Sequence, residues 1–326
     1  MDKNIFPKII CSSVIRSSNK GESHGGVYIV DLETNKFEKV INFNDETIDW
    51  QGRGGDRGLR GIAFYKGNVI LAASDEIFFY DKNFYQKKSY KNNYLKHCHE
   101  IFVHKNLLYV TSTGFDSILI FDLEKQIFTK GFCIRKRSKY LQFLLKKFRS
   151  QCRTAPELKL YKFNPNKNNG PKYKETIHIN NTFFQDNKIF FSGTKLDGLF
   201  YIKDDKIKFC SKIPKTTHNV MFWNGNLLFN STRQEQIINQ DDKGNNLNSF
   251  EIKKYNNNIL LHNELSDIHA KQAFGRGLAT YKNLIIGGSS PATISIYKTG
   301  QHKAIKTINL TLDMRNAIHG LEIWPY

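Results

Sequence analysis

Apolar and polar positions along this chain fall into short, strand-length runs, and one arrangement of them recurs. A polar residue with a ring or guanidinium head opens four or five strand-forming residues. A turn follows, and an apolar run closes the unit. Residues 218–229 read HNVMFWNGNLLF, and residues 60–71 read RGIAFYKGNVIL, matching position for position. Residues 99–110 and 276–286 repeat the pattern with one turn residue fewer; His178 opens a looser copy, and His319 opens a short one. Such runs, bounded by Asn, Gly and Lys turns, predict antiparallel strands, and their recurrence at about 40 residues predicts a repeat architecture.

Filling in the remaining apolar runs gives four strands per unit. Residues 9–15, 26–31 and 37–41 supply only three, and no opening strand precedes them. The short copy at 319–324 is the missing fourth. Pairing it with the N-terminal three would close a ring and leave no unpaired edge at the junction. Six four-stranded units in a ring describe an all-β fold, a six-bladed β-propeller over residues 8–326. The chain resembles the six-bladed propeller class in the broad sense that includes NHL-repeat and gluconolactonase-like proteins. That resemblance rests on repeat architecture and brings no functional residues with it.

One segment, residues 135–176, breaks the rhythm. Residues 138–150 have helical spacing, with Tyr140, Leu141, Leu144, Leu145 and Phe148 on one face and Lys139, Lys146, Lys147 and Arg149 around them. A basic amphipathic helix is expected here, ended by Pro156 and followed by a loose loop over 164–174. Such a helix either packs on the propeller or lies on an anionic membrane surface.

Composition adds three constraints. Hydrophobic residues make up 40% and aromatics 13% of the 326 residues, enough for a packed core. No apolar run is long enough for a membrane helix and no signal-peptide pattern is visible, so a cytoplasmic monomer is expected. Five scattered cysteines without a CxxC pair fit buried thiols in a reducing compartment. The net charge of +19 favours anionic partners, although lysines spread over solvated faces would give the same number. The basic residues show no recognised aromatic stacking motif, so nucleic acid is not an expected partner.

The candidate chemistry lies at the first position of each unit. In ring order these residues are His319, Arg60, His99, His178, His218 and Arg276, with Asn180 an alternative match in the fourth unit. With only ten histidines in the chain, four at six equivalent places is a strong bias. In a propeller, the loops between second and third strands open on the same face. Here they are rich in hydroxyls, as in Ser112-Thr113, Ser231-Thr232 and Ser289-Ser290, which suggests a polar mouth. His99, His178 and His218 on consecutive blades could hold a divalent transition metal, zinc, iron or manganese, with a position left for water. Arg60 and Arg276, with Arg57 in the glycine-rich lead-in, could grip a carboxylate or phosphate. His319 between them is the candidate proton-transfer residue. No carboxylate stands at the ring positions, which disfavours calcium at the axis. The expected function is a metal-dependent lyase or hydrolase acting on a small anionic substrate at the axial channel. The alternative is a non-catalytic propeller that binds an acidic protein, glycan or lipid headgroup on the same face. A purely structural ring, hydrogen-bonded to carbonyls and trapped water, would use the same residues.

Overall fold

The computed structural model describes residues 6–18, 21–44, 58–138, 155, 157–265 and 270–326. Six antiparallel sheets form the blades of a six-bladed propeller. Blade 1 is closed by both ends of the chain: Asn316–Ile323 is innermost, followed by Lys8–Ile15, Gly25–Asp31 and Phe37–Asn42. From the axis outward, blade 2 comprises Ile62–Tyr65, Asn68–Ala72, Glu76–Asp81 and Gln86–Lys91. Blade 3 begins with Ile101–His104 and Leu107–Ser112, blade 4 with Ile179–Gln185 and Lys188–Gly193. Blade 5 begins with Thr217–Trp223 and Asn226–Ser231, blade 6 with Gly277–Tyr281 and Leu284–Ser289.

The first hairpin of each blade turns where the repeat predicts. Lys66-Gly67 and Asn224-Gly225 have positive φ at both residues (45° and 77°, 49° and 77°), the two-residue turn whose twist matches that of its flanking strands.

Strands this short cannot bury enough surface on one side, so the blades are apolar on both faces and the core is divided among the seams. Along Lys8–Ile15, Ile9 and Cys11 join a cluster with blade 6 residues Ile286, Ile294 and Ile296. Ile10, between them, points the other way into a cluster with Ile62, Val69 and Leu71 of blade 2. The two-residue period of a strand thus serves two neighbours. Each of the other seams has its own cluster, blades 2–3, 3–4, 4–5 and 5–6.

Closure of the ring pairs Ile9 with Ile323 and Ile15 with Asn316, with a bulge between Cys11 and Ser13. The Ser12 hydroxyl donates to the Arg60 carbonyl and accepts from Gly320 N–H at 2.9 Å, tying blade 1 to blade 2. The closing strand starts at Asn316, earlier than the repeat predicts, so His319 stands inside a strand while Arg60 and His99 stand two residues ahead of theirs.

The insertion differs from expectation in its describable part. The helix expected over 138–150 lies outside the described residues beyond Ser138, and the described residues contain no α-helix. Instead, the fourth strand of blade 3 runs on as Ile127–Lys136, and Leu158–Phe163 pairs with it as a fifth strand. Gly131 makes room: a Cβ there would lie 2.3 Å from the Phe163 ring. The loop expected to be loose is fastened. Tyr94 donates to the Lys167 carbonyl at 3.0 Å and accepts from Gly170 N–H at 2.8 Å, and Asn166 donates to the Phe128 carbonyl at 2.6 Å.

Candidate axial site

The face of the ring that carries the strand-one openers also carries the loops between second and third strands, and the two sets are bonded to each other. Thr113, in one such loop, donates its hydroxyl proton to the Ile179 carbonyl. Its oxygen is then left to accept from His99 Nδ1–H at 2.9 Å, while the same nitrogen lies 2.8 Å from the His97 carbonyl. Blade 5 repeats the device. Thr232 donates to the Thr216 carbonyl at 2.8 Å and accepts from His218 Nδ1–H at 2.8 Å. Both imidazoles therefore carry their proton on Nδ1 and keep a lone pair on Nε2. The Nε2 atom of His218 is buried and makes no hydrogen bond. The hydroxyl-rich loops thus orient the histidines.

His178 is held by a carboxylate. Its Nδ1 lies 2.7 Å from Glu175 Oε1, and His97 and Lys195 approach Glu175 at 3.8 and 3.3 Å. Hydrogen bonds from His178 and then His97 hold the Glu175 carboxyl far below the usual carboxylate range, so it stays charged. Asp116, fully buried, sets the backbone leading into His178. It accepts from Thr176 N–H at 2.6 Å, Ile177 N–H at 3.2 Å and His178 N–H at 2.9 Å, and from Arg135 at 3.2 Å. His178 itself sits at φ 55°, one residue ahead of its strand, and Asn180 turns toward blade 5, donating to the Thr217 carbonyl at 2.8 Å.

Around the axis, the His99 ring lies 5.1 Å from His178 and 5.3 Å from His319. Arg60, 2% exposed, donates to the Cys98 carbonyl at 3.0 Å and touches His99 at 3.4 Å. Arg276 donates to His319 Nε2 at 3.0 Å, so the His319 proton is on Nδ1, facing Glu100 Oε1 at 3.6 Å. Phe274 gathers a second group: the guanidinium carbons of Arg276 and Arg16 lie 4.4 and 4.6 Å from its ring centre, and His218 lies 6.1 Å away.

These interactions give the site one electrostatic character. His99 is held neutral, well below its ordinary range, by burial and then by Arg60; His319 by burial and then by Arg276; His218 likewise by burial and Arg276. Burial and then the charge of Glu322 push Glu100 up to about 8. Glu322 belongs to the innermost strand of blade 1, two blades away, and desolvation pushes its own carboxyl up to about 8 as well.

The structure brings together Arg60, His99, His178, His319 and Arg276, with His218 joined to them through Phe274 and Arg276. Arg57, with the glycine-rich stretch at 51–57, lies outside the described residues. Among the described residues, no group of three or more His, Cys, Asp or Glu side chains is placed to hold a metal ion. Sequence reasoning missed the roles of Arg16, Phe274, Thr113, Thr232, Glu175 and Asp116. The two threonines alone had a visible signal, each standing fourteen residues after its histidine in a hydroxyl-rich loop.

No known protein family matches the sequence, and no curated protein matches it. Solved structures do match. A protein of unknown function from Bacteroides caccae aligns over 97% of this chain and 98% of its own, with a TM-score of 0.54 at 7% identity. The computationally designed protein Ika8 aligns over 96% of this chain and 91% of its own, with a TM-score of 0.48 at 10% identity. The WD40 repeats of RRP9 align over 79% and 65%, with a TM-score of 0.46 at 8% identity. The first shares the fold, which carries no activity with it; the other two are too distant to support an argument.

Proposed function

We propose that the axial cluster is a binding site for a small anion bearing a carboxylate or phosphate. One observation carries this reading: three histidines of the cluster are kept neutral while Arg60, Arg276 and Arg16 act on them. Burial is the main reason these rings resist protons, and the arginine charges that come next add a positive potential, which in a low-dielectric channel mouth attracts a negative group. Arg276 sits bonded to His319 and stacked on Phe274, so its guanidinium is already oriented for a planar, two-point contact. Titration calorimetry with phosphate, sulfate and a series of mono- and dicarboxylates tests it. At least one should bind, and Arg60→Met or Arg276→Met should weaken it about tenfold or more, as expected for losing one charge-assisted hydrogen bond. A protein that binds none of these at low salt refutes the reading.

A metal-dependent lyase or hydrolase acting on that anion is the second reading. The Nδ1-protonated tautomers of His99 and His218, with threonines behind them, are the outer-shell arrangement that metal-binding histidines use, and His218 Nε2 is a buried, unpartnered acceptor. His99, His178 and His218 would each offer Nε2, but as placed they do not form a metal-holding group, so a metal would have to draw them together before it could polarise a substrate carbonyl or activate water. The positive potential opposes a lone cation, so this reading requires metal and anion to enter together. Elemental analysis of untagged protein, with and without added dicarboxylate, separates the readings: metal that appears only with the anion, and not in His218→Ala, supports catalysis.

A further inference from the structure

The basic segment on blade 3 forms a cleft of about 1040 Å3 that is separate from the axis. One wall is the fifth strand, Leu158–Phe163, and the other is the loop at 169–174. Arg135 fixes the gap between them, donating to the Lys174 carbonyl at 2.6 Å and the Lys172 carbonyl at 2.9 Å. Arg135, Lys136, Arg137, Lys162, Lys172 and Lys174 line it, and no Asp or Glu does among the described residues. Lys162 reaches outward to Asp205 at 2.6 Å. Lys136 lies close enough to Lys215 and Lys195 that burial and their charge hold its amine below the ordinary lysine range. Tyr161 on the strand is 49% exposed and Tyr173 on the loop 55%, so each wall carries an aromatic ring in contact with solvent.

We propose that this cleft binds single-stranded nucleic acid, stacking bases on Tyr161 and Tyr173 and pairing phosphates with Lys172, Lys174 and Lys136. Two arguments favour this occupant. The volume is at the upper limit of about 300–1,000 Å3 usual for small-molecule pockets, which fits a short stretch of polymer. An acidic peptide would neutralise the cations but leave the two rings wet, whereas nucleobases cover rings and supply phosphates together. Along the chain the cations and aromatics already alternate, with Tyr161 and Phe163 flanking Lys162 and with Tyr173 between Lys172 and Lys174; the added strand and the fastened loop bring the two runs to one cleft. Membrane lipid headgroups and acidic peptides are the competing occupants.

Fluorescence anisotropy on the full chain, with labelled oligo(U) and oligo(dT), tests the proposal. Binding of either at low salt, weakening as salt rises, is expected, and the better ligand identifies RNA or DNA as the source. Tyr161→Ala should weaken binding about tenfold with an unchanged melting temperature, since the ring is half exposed, and Tyr161→Phe should bind as the parent does. Lys172→Glu with Lys174→Glu should weaken binding and lower the slope of log affinity against log salt by about 0.7 for each phosphate no longer neutralised. Should Tyr161→Ala fold poorly, the lysine pair, which sits on a surface loop, decides alone. Arg276→Met should bind the oligonucleotide normally, which separates this cleft from the axial site. Equal binding by parent and Tyr161→Ala overturns the proposal. So does displacement of the oligonucleotide by poly-glutamate or phosphatidylglycerol vesicles that themselves bind in a Tyr161-dependent way.

Discussion

Arg276 donates to Nε2 of His319 across 3.0 Å, and because a guanidinium can only donate, the imidazole must accept. The other nitrogen carries the proton and faces Glu100 at 3.6 Å, beyond hydrogen-bond distance. On the anion-binding reading, His319 serves to position Arg276, a role distinct from the proton transfer expected of it. His319→Phe should lower anion affinity about tenfold although the side chain does not touch the anion, while His319→Gln, which keeps an acceptor, should recover part of it. Titration calorimetry of the two variants beside Arg276→Met checks this; additive losses in a His319→Phe/Arg276→Met double variant would show that the pair does not act as a unit.

Closure of the ring depends on Gly320. A Cβ there would lie 2.1 Å from the Arg60 carbonyl oxygen and 2.7 Å from the Ser12 hydroxyl, both fixed by their own hydrogen bonds. Neither neighbour is the flexible end of a side chain, so Gly320→Ala must separate blade 1 from blade 2. A loss of about 3 kcal/mol or more is expected, larger than for the same change at the open turn of Gly67. Chemical denaturation measures it. Removing residues 319–326 should go further and abolish the cooperative transition, since it takes away most of the strand that pairs with Lys8–Ile15.

Asp116 is the anchor of the blade 3 to blade 4 crossover. It is fully buried and accepts three backbone N–H groups, the Thr176 hydroxyl at 2.7 Å and Arg135. Asp116→Ala would leave those donors and a mostly buried guanidinium uncompensated, a change of about 3–5 kcal/mol. Hydrogen exchange should show lost protection at Ile177 and His178 before any other strand start. Protection retained there would mean that Arg135 and the loop hold the crossover without it.

Much of this was legible in the residues. The openers, the Gly and Asn turns and the three-strand start at the N-terminal end pointed to six blades and the closing strand, because strand period and turn chemistry are local properties. The histidines and arginines were legible as a set, since a repeat makes equivalent places comparable. Their partners were not. Phe274 gathers Arg16 and Arg276 from positions far apart in the chain, and Asp116 looks like any turn aspartate until residues 176–178 fold onto it. The fifth strand was missed for a different reason. Leu158 and Leu160 fall on one face and Tyr161 and Phe163 on the other, so six residues beside a helical pattern carry no clean two-residue alternation.

The site also fixes the sign of the pH dependence of stability. His99, His218 and His319 have folded pKa values well below the ordinary 6.5. Their stabilisation is complete above about pH 6.5 and is lost as pH falls, because the unfolded chain takes up protons that the folded protein refuses. Each such histidine contributes a slope of about 1.4 kcal/mol per pH unit over that range. Glu100 runs the other way. Its carboxyl is raised from 4.5 to about 8, so its contribution is complete below about pH 4.5 and is lost as pH rises toward 8. Glu322, whose carboxyl is raised by desolvation from 4.5 to about 8, contributes with the same sign. Three histidines outweigh the two carboxyls below pH 6.5, and the carboxyls act without them above it. Stability should therefore peak near pH 6.5 and decline gently to about pH 8. Urea melts across this range check the curve. Glu100→Gln should roughly halve the decline on the alkaline side and steepen the rise between about pH 4.5 and 6.5, whereas His218→Gln should flatten the acid side by about one proton. A parent protein whose stability keeps rising to pH 8 would show that Glu100 is ionised in the fold and that the positive potential at the axis is already neutralised from within.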